Sequence, residues 1–368
     1  MTHDRREFLQ RAFLTAAVAT YSKSAKAAPA KLGIPGPFRG RVVAVEHPGS
    51  ITAAGYQREP VRQMIHKGMT ELTGAPSPQE AWRFFFQPGD VVGIKVNPVG
   101  QPHVISSAEV FQEIVEGLKM AGVKVREIVA YDRYKPMFIS GGFDKWLPEG
   151  VRWMWATDKS HPLQLDMDGY DENHYMETQV VLPKQDASDK HHRRSYVAKF
   201  LTQNVNKMIN LAVLKHHQSA GITIALKNMS HGLVNNVNRS HSSPTLNTCG
   251  TFIPAVIDIP IIRERVVLHI LDGVLGAYHG GPGSSVKNYM WNHQTMYFAT
   301  DPVAMDRVGW KIIDAKRKEV GMKPVGEALP DKDSRYYRMQ PEHVEIAGVL
   351  GLGEYDDKKI DVRKHKLA

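Results

Sequence analysis

The sequence predicts an α/β protein: a mostly parallel or mixed sheet flanked by helices, with an inserted excursion around 140–200. Three observations predict it. Residues 89–133 read strand, helix, strand, the order of a parallel crossover unit. Further apolar runs at 207–217 and 265–276 end in polar or charged residues, the pattern of strands that deliver side chains to the carboxyl edge of an open sheet. Apolar content is 42% and charged content 23%, so the 368 residues hold material for a real core.

The first segment is not read as part of that core. Arg5-Arg6 followed by Glu7-Phe8-Leu9 resembles the twin-arginine export signal, R-R-x-F-L. The apolar stretch 12–20 is too short to span a bilayer as a helix. Ala25-Lys26-Ala27 has the small residues of a cleavage site, so cleavage after Ala27 is expected. Residues 1–27 are therefore expected to be a signal peptide, 28–38 an Ala/Pro/Gly-rich linker, and 39–368 a single α/β domain. The expectation is a periplasmic or otherwise exported protein, with the twin-arginine translocase as its partner during export. That route moves folded proteins, often with a cofactor already inserted. Removing 1–27 takes away five cations and two anions, so the formal charge falls from +9 to +6. No later stretch approaches 18 consecutive apolar residues, so no stable membrane span is expected. The basic charge is spread along the chain apart from 190-KHHRR-194, and no groove-reading motif accompanies it, so nucleic acid is not an expected partner.

Within the domain, 41–47 reads as a first strand and 59–74 as a helix with Val61, Met64, Ile65 and Met69 on one side and Gly74 as its stop. Ser77-Pro78-Gln79-Glu80 and Ser106-Ser107-Ala108-Glu109 read as capping boxes that open two more helices. The second helix presents Val110, Phe111, Ile114, Val115 and Leu118 to the core and ends at Gly122. The strands around it end near Lys95 and Asn97 and at Asp132. The strand 151–156 leads into the excursion, with an acidic patch at 166–172 and the basic run at 190–194. The α/β pattern resumes with strands at 207–217 and 265–276, the second expected to end at Asp272. Residues 221–228, GITIALKN, fit either a strand or a short buried helix. A short strand then enters a helix that Asp301 caps and Pro302 starts, with Asp306 one turn in.

Five of these strings recur in order in one family: 92-VGIKVN-97, the run ending 122-GVKVREIVAYD-132, 209-INLAVLKHHQSAGITIALKN-228, 270-ILDGVLGAYHGGP-282 and 299-ATDPVAMD-306. Together they resemble the bacterial and archaeal "domain of unknown function 362" family over roughly residues 90–310. The resemblance implies an α/β domain with no settled activity. Some members carry cysteine-rich iron–sulfur segments. This chain has one cysteine, Cys249, so no iron–sulfur cluster is expected, and any metal site is expected to use His, Asp, Glu, Asn or water.

Seven of the seventeen histidines fall within 216–293, nearly twice the density of even spacing. Imidazole is the common ligand and the usual base near neutral pH. A divalent metal ion of unknown identity is suspected, with His216, Asp132, Asp272 and Asp301 as its expected ligands; His231 and His279 are further imidazoles in reach of that hypothesis. Lys95, Lys215 and Lys227 each terminate an apolar run, and converging lysines would suit a small anionic ligand. Lys95, Asn97 and Asn228 are the expected substrate-binding residues, with Lys215, Lys227, His217 and His279 as catalytic candidates. Each of these residues also has an ordinary structural reading, as a snorkelling lysine, a helix cap or a hydrogen-bonded core histidine. Three functions fit: a metal-dependent enzyme acting on a small anionic substrate, hydrolytic or redox; a periplasmic metal- or anion-binding protein; and an accessory protein for assembly of an exported enzyme. No G-x-S-x-G elbow or P-loop is present, and Cys249 lacks a visible activating neighbour.

Overall fold

Alternate residues of the strand Arg41–Glu46 (β1) serve two different cores, Val42 and Ala44 one of them, Val43 and Val45 the other. A strand covered on both faces requires this alternation of apolar with apolar. The protein is described by a computed structural model that covers residues 20–21, 32–159 and 162–368. The expected signal segment 1–27 lies outside the described residues, Thr20 and Tyr21 apart.

The main sheet has nine strands: β1, Val92–Lys95 (β2), Ile128–Tyr131 (β3), Arg152–Met154 (β4), Lys207–His217 (β5), Gly221–Thr223 (β6), Val266–Ala277 (β7), Met290–Ala299 (β8) and Asp361–Lys366 (β9). Their order is β9-β1-β8-β7-β5-β2-β3-β4, with β6 paired to β5. From β7 to β4 every pairing is parallel, as is β9 with β1. β8 runs antiparallel to both its neighbours, and β6 to β5. The sheet is thus mixed and mostly parallel, as expected.

Helices Arg58–Thr73, Pro78–Phe85 and Ala108–Met120 cover one face, where Met64, Trp82 and Phe111 share a core with Ile209, Ile270 and Phe298. Helices Ala225–Leu233, Cys249–Ile257, Pro302–Glu319 and His343–Val349 cover the other, with Met229, Ile253, Val303 and Val344 in a core with Ala212 and Leu271. Each such side chain contributes roughly 1.5–3 kcal/mol by leaving water. Among the described residues, no helix is long and apolar enough to cross a membrane.

Local signals act largely where expected. Gly74 ends its helix at φ 74°, and the Ser77 side chain accepts from Glu80 N at 3.3 Å. Four expectations change. The second cap is Ser107, whose Oγ accepts from Val110 N; Ser106 Oγ instead bonds the backbone at Asn97 and Leu211. Residues 32–38, expected as linker, are packed: Ile34 is buried and its N–H donates to Arg263 O at 2.7 Å. Residues 221–228 split between β6 and the start of helix Ala225–Leu233, because a strand and a short helix share that apolar run. β7 does not end at Asp272 but runs on to Ala277, paired there with β8.

The excursion begins after β4. Its strands Tyr170–Glu177 and Arg194–Ala198 form a separate antiparallel pair. Arg239, fully buried, ties this pair to the domain through Thr178 Oγ1, Val180 O and Ser195 Oγ at 3.1, 3.2 and 2.9 Å.

Candidate functional site

The parallel strands β2 and β3 end side by side, which brings Lys95 and Asp132 together, while β5, paired with Lys95 at Asn210, runs seven residues further and carries Lys215 to the loop that follows β2. Lys95 is 2% exposed, and its ammonium donates to Asp132 Oδ1 at 2.7 Å, to Asn228 Oδ1 at 3.3 Å and to Val96 O. Gly232 makes room for it: a Cβ there would lie 2.1 Å from Lys95 Cε. Lys215, with no exposed surface, donates to Asn97 Oδ1 at 2.9 Å, to Val104 O at 3.1 Å and to Val99 O. Each of these ammonium groups therefore has three oxygen partners, all that its three N–H bonds can serve.

Lys227 is different. It stands in the first turn of helix Ala225–Leu233, 7% exposed, and its ammonium makes no hydrogen bond or ion pair among the described residues. Asp306 sets the start of that helix by accepting from Ala225 N at 2.7 Å and Leu226 N at 3.1 Å. Burial, with Arg133 and Lys95 acting the same way against an opposing pull from Cys249, holds the Lys227 ammonium down to about 8. Arg133, 3% exposed, likewise has no carboxylate partner: it bonds His231 O at 3.1 Å, Gln164 Oε1 at 2.7 Å and Tyr134 Oη, and its Nε is buried without a partner.

These groups surround a pocket of about 210 Å³ lined by Lys95, Asn97, Asp132, Arg133, Lys227 and Asn228, with His217, His231 and His241 on the same wall. Three cations thus face the pocket against one carboxylate, Asp132, already held by Lys95. A second pocket of about 360 Å³, lined by Leu182, Gln218, Arg335 and Tyr336, shares His217, Asn238, His241 and Pro282 with the first. The excursion supplies Gln164 to one and Leu182 to the other.

His217 enters this wall with its tautomer fixed. Its Nδ1 accepts from Ser219 N and Ala220 N, both at 3.2 Å, so the neutral ring carries its proton on Nε2. Burial first, and Lys227 next, keep His217 well below the usual imidazole range. Beyond it, His231, His241 and Cys249 place one donor atom each within 4.8 Å of one another.

The expected metal ligands do not come together. Asp132 belongs to the Lys95 pair. Asp272, halfway along β7, accepts from Tyr56 Oη at 3.0 Å and Ser107 N at 3.2 Å, on the opposite helix layer; burial raises it to about 6. Asp301 follows β8, and because β8 runs antiparallel its carboxyl end lies at the other edge of the sheet. There Asp301 accepts from Val303, Ala304, Gly40 and Glu354 N–H groups at 2.8–3.0 Å. His216, behind the pocket, accepts from Gly281 N at 3.2 Å and meets Met339 Sδ at 3.2 Å. His279 is also outside it, 3.0 Å from Arg317 and 2.9 Å from Asp331. Asp301→Ala is therefore expected to cost about 2–4 kcal/mol of stability, by loss of a cap and of buried N–H acceptors. Denaturant unfolding checks this, and an unchanged midpoint would sink the capping role.

The sequence pointed to Lys95, Asn97, Asp132, His217, Lys227 and Asn228, all of which line the pocket. It missed Arg133, which directly follows Asp132 at a strand end and so carried the same signal as the lysines. His241 lies in the mostly irregular stretch that leads to the helix Cys249–Ile257, and Cys249 opens that helix, so no periodicity indicates the direction of either. A metal-ligand set containing Cys249 departs from the expectation of His, Asp, Glu and Asn ligands.

The family model described as "Domain of unknown function (DUF362)" matches residues 92–311, more than half of the chain. A crystal structure of a protein from Thermotoga maritima is similar at 10% identity, with a TM-score of 0.37. The match covers 72% of this chain and 59% of that protein's length. No curated protein matches the chain.

Proposed function

Because the chain belongs to the domain of unknown function 362 family, whose name assigns no activity, we propose a function from the pocket itself: an exported enzyme that binds a small anionic molecule at the carboxyl edge of its sheet and acts on it there. The observation that carries this reading is the Lys227 ammonium, buried, facing the pocket and without a partner among the described residues. A buried cation without an anion is costly, so one left unpaired beside Arg133 is matched to a ligand that brings the missing charge. Lys227 and Arg133 bind a carboxylate, phosphate or sulfate group, and His217 Nε2–H is a third donor. Lys95 and Lys215 shape the pocket: one positions Asp132 and Asn228, the other holds the 97–104 loop. Asn97, Asn228 and the imidazoles supply the remaining polar contacts.

Calorimetric titration of the purified protein with inorganic phosphate, sulfate and short carboxylates tests the reading. Saturable binding with thermal stabilisation is expected; no binding of any of the three classes would overturn it. Export by the twin-arginine route is part of the proposal and rests on Arg5-Arg6 and Ala25-Lys26-Ala27. N-terminal sequencing of exported protein should start at Ala28, and a start elsewhere would count against it.

The pH dependence follows from Lys215 and Lys227. Burial, then repulsion from Lys227 and Lys95, lowers the Lys215 ammonium to about 7, with Asp132 opposing. Lys215 is charged below that pH and neutral above it, and Lys227, held at about 8, loses its charge next, so the positive field at the pocket weakens as pH rises. Sulfate keeps its charge throughout, and its affinity is expected to fall by about tenfold between about pH 6 and about pH 8.5. A flat profile would show that neither lysine contributes to the field, and the same titration on Lys227→Met isolates the Lys215 part.

A further inference from the structure

We infer that His231, His241 and Cys249 form a zinc(II) site whose open coordination position faces the anion pocket. The three residues come from different places: His231 from the last turn of helix Ala225–Leu233, His241 from the turn after Asn238–Ser240, Cys249 from the first position of helix Cys249–Ile257. Folding brings one donor atom of each within 4.8 Å of the others. A tetrahedral zinc needs Zn–N of about 2.0–2.1 Å and Zn–S of about 2.3 Å, a spacing that three donor atoms within 4.8 Å of one another approach.

The surroundings suit ligation. Ser240 Oγ lies 2.9 Å from His231 Nε2 and 2.5 Å from His241 Nδ1, and Ser230 Oγ lies 3.0 Å from His231 Nδ1, so His231 takes up zinc by exchanging one of its two hydroxyl contacts for the metal while the other orients the ring. His241 Nε2 has no partner among the described residues. The Cys249 sulfur has only long contacts, 3.6 Å to Ser219 Oγ and 3.7 Å to Ser240 O, which a metal bond would readily replace. Two imidazoles and one thiolate are a borderline donor set, suited to zinc rather than to magnesium or calcium. Cys249 is fully buried while His231 and His241 line the pocket. Three protein ligands leave a fourth position on the pocket side, the arrangement of catalytic rather than structural zinc. This deepens the enzymatic reading by placing a Lewis acid beside Lys227, yet zinc binding itself does not depend on an anion.

The test uses zinc chloride alone on the purified, chelator-treated full-length protein, followed by elemental analysis, with cobalt(II) as a spectroscopic substitute. Expected are about one equivalent of zinc per chain and a thiolate-to-cobalt charge-transfer band. Both should be lost in Cys249→Ser and His241→Gln and kept in His216→Gln and Asp272→Asn. Absence of the thiolate band in the unaltered protein would overturn the site however the variants fold. So would zinc retained in full by a folded Cys249→Ser. Phosphate binding by a protein that takes up no zinc would leave the anion reading standing and remove this one; zinc uptake without anion binding would do the reverse.

Discussion

Lys227→Met is expected to weaken phosphate or sulfate binding by about 10- to 100-fold and, in the same protein, to raise stability. The loss of affinity corresponds to one charge-assisted hydrogen bond of about 1.5–3 kcal/mol. The gain arises because the ammonium, 7% exposed and without a partner, is held in the folded protein at the expense of its hydration. Burial is the first cause that lowers it from 10.5 to about 8. Methionine fills a similar volume without charge, so a gain of about 1–3 kcal/mol at neutral pH follows. The two effects together separate a ligand-binding cation from a structural one, since a structural lysine would lose stability when removed. Calorimetry with sulfate and denaturant unfolding without it give both readouts. Unaltered affinity, or a less stable variant with no change in binding, would sink the assignment.

Asp132→Ala should act in the opposite direction. Asp132 and Lys95 form the most deeply buried Lys–Asp pair in the sheet edge, their side chains 6% and 2% exposed. Removing the carboxylate leaves Lys95 with two neutral oxygens, beside Lys227 and Arg133, in a pocket that then has no negative group. A buried charge stripped of its partner costs about 3–5 kcal/mol. The variant is therefore expected to unfold at clearly lower denaturant, and added sulfate should recover part of the loss, because Lys95 joins Lys227 and Arg133 as a pocket cation without a counter-ion. Asp132→Asn, which keeps an acceptor for Lys95, should lose less. Equal stability of Asp132→Ala and the unaltered protein would mean that the pair contributes nothing to the fold.

Sequence alone determined the layers and the place of the pocket. Apolar runs of strand length, caps such as Ser77 and Asp301, and Gly74 as a helix stop are signals that act within a few residues. Because β2, β3 and β5 are parallel, they run to the same edge, β2 and β3 ending level and β5 passing them by seven residues, and the polar residues closing those runs gather at that edge. Only the tertiary structure decided what each residue does there. The antiparallel direction of β8 carries Asp301 to the far edge, and the extension of β7 leaves Asp272 in mid-strand, bonded to Tyr56. Lys95, Lys215 and Lys227 read alike in sequence, each a cation after an apolar run. Whether such a cation is satisfied depends on oxygens that other segments bring to it. Asp132 and Asn228 come to Lys95, Asn97 and the 97–104 backbone come to Lys215, and none of the described residues brings an oxygen to Lys227. Partnership across the fold is a long-range property, and for that reason the candidate ligand-binding lysine is visible only once the chain is folded.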